Sequence, residues 1–254
     1  MTLPPGFTAR SFAHRGLHDV ANGVIENSRA AVQAAIDAGY GIEIDVQLSA
    51  DGEAMVFHDY GLERLTGAEG PVARRSAAEL GALTLAGSAP RQGIPTLTEI
   101  LELVAGRVPV LVEIKDQDGA LGPKVGPLEK AVARALSRYP GPVAVMSFNP
   151  HSMAEMQRLA PEVPRGLTTC RFDAEDWPTI PQARRDALRE IPDFETVGAS
   201  FVSHRAEDAN SDRLARLRDG GAAILCWTVR SEEAERQARQ HVDAITFEGY
   251  RPRT

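Results

Sequence analysis

Short runs of apolar and β-branched residues alternate along the chain with alanine- and charge-rich segments whose apolar positions recur at helical spacing. The runs predict strands at 11–13, 41–46, 108–114, 143–147, 164–168, 197–202, 223–228 and 244–247. The segments between them predict helices at 28–38, 97–104, 125–137, 150–159, 182–189, 211–218 and 232–239. End signals agree with these limits. Asn27 or Ser28 can cap the first helix and Gly39 follows it. Asn149-Pro150 opens the fourth helix with proline near its first turn, and Ser231 precedes Glu232-Glu233 at the start of the seventh.

Eight strands alternating with seven helices predict an α/β fold, a TIM (β/α)8 barrel, formed by 1–254 as a single domain. The rival is a doubly wound open sheet, but no Gly-x-Gly-x-x-Gly marks a nucleotide turn. The pattern breaks between 51 and 95, where Gly52, Gly61, Gly67, Gly70, Gly81, Gly87 and Gly93 fall. So long an irregular stretch between the second and third barrel strands predicts a functional loop or a small inserted subdomain.

Charge and composition narrow the partners. A net charge of −7 with no basic cluster argues against nucleic acid, while a local pair of cations can still attract a small anion. No apolar stretch approaches the roughly 20 residues that span a bilayer. The first residues lack a basic segment followed by an apolar one, so no secretory signal is expected. Cys170 and Cys226 lie far apart without metal-ligand spacing and read as reduced thiols of a cytoplasmic protein. Oligomeric state has no signal in the sequence.

The chemistry gathers at predicted strand ends. Glu43 and Asp45 stand at i and i+2, so both carboxylates leave one face of a strand while Ile42 and Ile44 leave the other. Paired carboxylates at a barrel mouth need a cation, either lysine and arginine partners or a hard divalent metal. Glu113 and Lys115 repeat the geometry on the next barrel strand, as a third carboxylate with a phosphate-binding cation or as a simple ion pair. In His14-Arg15-Gly16 the imidazole can carry a proton, the guanidinium matches phosphate oxygens, and the glycine permits a sharp turn or close ligand approach. His58-Asp59 follows the β-prone run 54–57 and adds a second proton carrier. Phe148 and Trp227 end later strands, as core aromatics or as the rim of a substrate site. His18, His151, His204 and His241 have no partners at informative spacing and read as surface or loop residues, with His18 nearest the site.

This set resembles the glycerophosphodiester phosphodiesterase family, within the phospholipase-C-like phosphodiesterases. The matching stretches begin with Ala13-His14-Arg15-Gly16, Glu26-Asn27-Ser28, Glu43-Ile44-Asp45-Val46-Gln47-Leu48 and Val56-Phe57-His58-Asp59. They continue with Leu62-Glu63-Arg64-Leu65-Thr66-Gly67, Ile94-Pro95-Thr96-Leu97, Glu113-Ile114-Lys115, Ser147-Phe148-Asn149-Pro150 and Trp227-Thr228-Val229. The resemblance covers nearly the whole chain and implies a TIM barrel with a family-type insertion at about 60–95.

It further implies metal ligation by Glu43, Asp45 and Glu113, catalysis by His14 and His58, phosphate contacts from Arg15 and Lys115, and a glycerol side lined by Trp227 and Phe148. Glu26 is implied as a neighbouring polar residue. The ion implied is magnesium or calcium, with manganese also suitable. The implied reaction is hydrolysis of a small glycerophosphodiester to glycerol 3-phosphate and an alcohol, with His14 as base and His58 as acid by analogy with related phospholipases. Attack by the glycerol 2-hydroxyl and by water both remain open. At the end of the last strand the chain has Thr246-Phe247-Glu248 where the family often has Thr-Asp-x-Pro, and Glu248 is available to substitute for that acid. Two other readings stay in play: a lysophospholipase D or other lipid-headgroup phosphodiesterase of the same superfamily, and a non-catalytic phosphate-binding protein. A metal-dependent amidohydrolase would usually show His-x-His on its first strand, where this chain has His14-Arg15.

Overall fold

The alternating pattern closes into a barrel in the computed structural model, which describes residues 2–253. The strands are β1 (Phe12–Ala13), β2 (Gly41–Leu48), β3 (Ala54–Val56), β4 (Val110–Ile114), β5 (Val143–Ser147), β6 (Arg165–Thr169), β7 (Phe201–Arg205), β8 (Ala223–Val229) and β9 (Ala244–Phe247). Eight of them form a parallel ring that closes where β1 pairs with both β2 and β9. β3 stays outside the ring, antiparallel to the upper half of β2. The helices are α1 (Arg29–Asp37), α2 (Glu63–Thr66), α3 (Ala77–Ala82), α4 (Leu97–Val104), α5 (Pro127–Leu136), α6 (Pro150–Leu159), α7 (Gln182–Arg189), α8 (Asp212–Asp219) and α9 (Glu232–Ala238). The predicted helices are α1 and α4–α9, with ends moved by no more than two residues.

Strand alternation sorts the apolar residues into two layers. Ile42, Ile44, Val110, Val112, Val145, Val202, Ile224 and Ile245 face the helices and join one large core. Phe12, Leu111, Ala144, Met146, Phe201, Leu225 and Ala244 fill the lower barrel interior together with Phe7, whose ring lies 5.2 Å from that of Phe12. Large rings there face strand positions without side chains. A Cβ on Gly41 would lie 2.8 Å from the Phe12 ring, and one on Gly166 would lie 2.4 Å from Phe201. With the floor sealed by apolar packing, the polar inward residues collect at the C-terminal ends of the strands.

The stretch between β2 and β4 is a small subdomain with its own core. Met55, Phe57, Leu62, Val72, Leu80, Leu85 and Ile94 bury against one another and against Ile25. Two capping boxes punctuate it. Ser76 and Glu79 exchange hydrogen bonds at the start of α3, and Thr96 and Glu99 do the same where α4 begins.

One strand differs from its prediction. The run 197–202 gives way to Phe201–Arg205, because Val197, Gly198 and Ala199 turn back to donate to the carbonyls of Asp193, Glu195 and Phe194. Gly198 sits at φ +60°, a left-handed turn position outside the sheet. The shift carries His204 and Arg205 to the C-terminal end of the barrel. Cys170 and Cys226 are buried and unpaired. No helix among the described residues is long and apolar enough to cross a membrane.

Candidate active site

The i, i+2 spacing on β2 places Glu43 and Asp45 inside the barrel, and parallel pairing sets Asp45 level with Glu113 of β4. All three carboxylates are buried, with an oxygen from each within 4.8 Å of the others. Two cations are folded into this cluster. Lys115 Nζ donates to Asp45 Oδ1 at 2.7 Å and to Glu113 Oε1 at 2.6 Å. The Arg15 backbone N–H donates to Glu43 Oε2 at 2.9 Å, while its Nε, buried without a hydrogen-bond partner, lies 3.4 Å from Asp45 Oδ2. Asn27 Nδ2 donates to the same Asp45 oxygen at 2.9 Å.

Burial, together with Asp45 and Glu113, pushes the Glu43 carboxyl well above its ordinary pKa. Burial opposes ionisation of Asp45 too, but Lys115, His58 and Arg15 outweigh it and hold Asp45 well below the carboxylate range. Lys115 is raised, since Asp45 and Glu113 overcome the cost of its burial. Two cations leave the crowding of three carboxyl groups only partly relieved, as the raised Glu43 shows, and an all-oxygen donor set of this kind fits a hard divalent ion. The cluster could therefore hold a metal.

Both histidines of the predicted site are brought to it, and each is held by a carboxylate. His14 Nδ1 donates to Glu248 Oε2 at 2.5 Å, joining the ends of β1 and β9 across 234 residues of chain. The hydrogen bond from His14, with His18 and Arg230 beside it, holds the Glu248 carboxyl far below its ordinary range. His58 Nδ1 donates to Asp59 Oδ1 at 2.7 Å, and Gln47 Nε2 fixes the His58 carbonyl at 2.9 Å. With Nδ1 occupied in both rings, Nε2 is the nitrogen each has free for proton transfer. Burial, with help from Lys115 and Arg15, lowers the His58 pKa against the pull of Asp45 and Asp59.

A second tier joins the two sides of the site. Arg64 on α2 donates to both oxygens of Asp59 (2.6 and 2.9 Å) and to both oxygens of Glu26 (2.9 and 2.8 Å). Glu26 in turn accepts from Arg15 Nη1 at 2.7 Å. His58 and Arg15 are thus held by one guanidinium from the insertion.

His14, His58, Arg15, Lys115 and the three carboxylates Glu43, Asp45 and Glu113 line a cleft of about 420 Å3 together with Phe148 and Trp227. The two rings meet edge to face at 5.5 Å, and Trp227 Nε1 donates to the Ser203 carbonyl at 3.1 Å. Sequence reasoning did not assign three further wall residues, Asp176, Trp177 and Arg205. Arg205 pairs with Asp176 at 2.8 Å and lies over the Trp227 ring at 5.6 Å. Only the end of β7 could have pointed to Arg205, and that strand was expected to stop earlier. One histidine reading is also corrected. His204, expected at the surface, is buried on β7, its Nδ1 2.7 Å from Thr169 Oγ1, and burial lowers its pKa to about 4. His18 is half-buried with Nε2 3.9 Å from Glu248.

A family model described as the glycerophosphoryl diester phosphodiesterase family matches residues 14–248. Its limits are the two residues of the His14–Glu248 pair. The chain belongs to this family of hydrolases. It is 31% identical over 242 residues to the glycerophosphodiester phosphodiesterase of Caldanaerobacter subterraneus, spanning 92% of this chain and 91% of that one. Among solved structures it resembles an Oleispira antarctica phosphodiesterase in complex with the product sn-glycerol-3-phosphate. There the TM-score is 0.75 at 24% identity, over 96% of this chain and 93% of that one. The Thermotoga maritima glycerophosphodiester phosphodiesterase gives a TM-score of 0.70 at 23% identity, over 93% of each chain. Where the family often has Thr-Asp-x-Pro, this phosphodiesterase has Thr246-Phe247-Glu248, and the glutamate still reaches the first histidine.

Proposed function

We propose that this phosphodiesterase hydrolyses small glycerophosphodiesters to glycerol 3-phosphate and an alcohol, using one divalent metal and two histidines. The observation that carries the reading is the pairing of two carboxylate-held imidazoles, His14 and His58, around one cluster of three carboxylates and two cations. A phosphate-binding protein needs the cations but has no use for two imidazoles with Nε2 left free.

Glu43, Asp45 and Glu113 would hold the ion, magnesium or calcium with manganese also suitable, and it would supply positive charge against the nonbridging phosphate oxygens. Arg15 and Lys115 orient the phosphate and balance the charge that grows on it in the transition state. Glu248 keeps the His14 proton on Nδ1, so Nε2 can accept the proton of the attacking hydroxyl, from glycerol or from water. His58, held by Asp59, gives its proton to the departing alcohol oxygen. Phe148 and Trp227 bound the glycerol side and exclude water from it.

The test is an assay of glycerol 3-phosphate release from a panel of diesters, with defined metals returned to chelated protein. Release that depends on a returned metal is expected. Full activity in protein shown to contain no metal would sink the metal role, and binding of diesters without release would leave only the phosphate-binding reading. Lysophosphatidic acid release from a long-chain lysophospholipid, without turnover of the soluble diesters, would move the assignment to a lysophospholipase D.

A further inference from the structure

Beside the reaction cleft lies a second chamber of about 700 Å3, which shares His58, Glu113, Lys115, Phe148, Asp176 and Trp177 with it. A group bonded to phosphorus on the His58 side of the cleft has this chamber before it. Its wall combines aromatic rings with carboxylates.

The first feature is aromatic. Phe148 and Trp177 pack with ring centroids 5.0 Å apart, and Tyr60 opens 53% of its surface at the mouth. The second is anionic. Asp116 lines the chamber, accepting from the Leu121 N–H at 3.1 Å and from Asn149 Nδ2 at 2.8 Å, and has no ion-pair partner among the described residues. Asp176 is a further carboxylate of the lining, although Arg205 partners it. Lys115 is the only lysine or arginine in that lining, and its ammonium sits at the phosphate end, donating to Asp45 and Glu113.

Alkyl, anionic and cationic alcohols meet this wall differently. An alkyl chain would desolvate Asp116 with nothing in return, and an anionic alcohol would be repelled. A small ammonium meets both a carboxylate and ring faces whose quadrupoles attract cations.

We propose that the chamber receives the leaving alcohol and selects glycerophosphodiesters whose alcohol carries a quaternary or primary ammonium, an inference that rests on the hydrolytic reading above. Tyr60, Trp177 and Asp116 set the preference, and His58 stands where the chamber meets the phosphate.

The test compares kcat/KM for glycerophosphocholine with that for its uncharged 3,3-dimethylbutyl isostere, which differs in charge and hardly at all in shape. The choline diester is expected to lead by roughly 3- to 30-fold. That ratio should fall towards one in Asp116→Asn, and also in Tyr60→Leu, whose exposed position makes a folding defect an inadequate explanation. Equal or reversed preference in the wild-type chain, or a ratio untouched in both variants, overturns the proposal. Calorimetric binding of the two diesters to His14→Ala protein reads the same preference without turnover. Equal release of glycerol 3-phosphate from both diesters would remove the chamber's role and leave the hydrolytic reading standing. Tighter binding of the choline diester with no release from any diester would do the reverse.

Discussion

His14 and His58 are built alike, yet their surroundings set them apart. Glu248, which holds His14, is itself pinned in its ionised form by two imidazoles and by Arg230, whose Nε donates to it at 2.7 Å. His58 shares Asp59 with Arg64, and burial, with Lys115 and Arg15, depresses its pKa against the pull of Asp45. As the proposed acid, His58 has to carry its proton. In the free enzyme, kcat/KM should therefore fall as pH rises through a value below the ordinary histidine figure of about 6.5. Bound substrate adds a negative phosphate that favours the imidazolium, so the same limb should stand at higher pH in kcat. The two pH–rate profiles and an NMR titration of the His58 ring check this. His58→Ala and His14→Ala should each lower turnover by roughly 100- to 10,000-fold. Loss of the acid limb in the His58 variant, in place of the alkaline one, would exchange the two roles.

The insertion between β2 and β4 shows how an element far from the barrel axis can govern groups inside it. Its core is separate from the barrel's, but α2 projects Arg64 back to clamp Asp59 and Glu26, and through them His58 and Arg15. Arg64→Ala should lower kcat by roughly 10- to 100-fold, as loss of an orienting partner does elsewhere. It should also displace the His58 limb of the pH profile. Arg64→Lys should recover only part of the loss, because an ammonium cannot satisfy two carboxylates with a bidentate fork. Wild-type kcat with an unmoved limb in Arg64→Ala would deny the insertion this role. Glu26 was legible as a polar neighbour and Asp59 as a residue that could orient an imidazole, but the Arg64 clamp joining them was not, although the stretch 62–67 belongs to the family resemblance. Local patterning does report strand faces, which is why Glu43, Asp45, Glu113 and Lys115 could be placed together from spacing alone. It does not report partners brought together by ring closure, such as His14 and Glu248, or carboxylate forks between an insertion and a loop. The β7 shift is a third kind of failure. Val197-Gly198-Ala199 looks like a strand by composition, but the left-handed glycine ends a turn there, so the strand runs later, burying His204 and bringing Arg205 to the cleft wall.

At the scale of the molecule, the barrel separates stability from chemistry along its axis. The lower interior is packed with apolar rings, whereas the upper end concentrates three buried carboxylates whose mutual repulsion Arg15 and Lys115 only partly relieve. The raised pKa of Glu43 is the mark of that unrelieved charge, with burial its largest cause. A divalent ion held by this cluster would bind the folded barrel alone, because unfolding disperses ligands that lie 70 residues apart in sequence. Folding and metal binding would then be linked. At a metal concentration one hundred times its dissociation constant, the linkage contributes about 2.7 kcal/mol. For a chain of this length that corresponds to a rise in Tm of roughly 5–10 °C. Thermal unfolding of chelated protein, titrated with magnesium and then with calcium, measures it directly. Glu43→Gln should raise the Tm of the chelated protein by removing one of the repelling charges, and should shrink the increment each metal adds. An unchanged Tm across the titration, in protein whose activity also ignores the metals, would mean that Arg15 and Lys115 are the only cations this cluster needs.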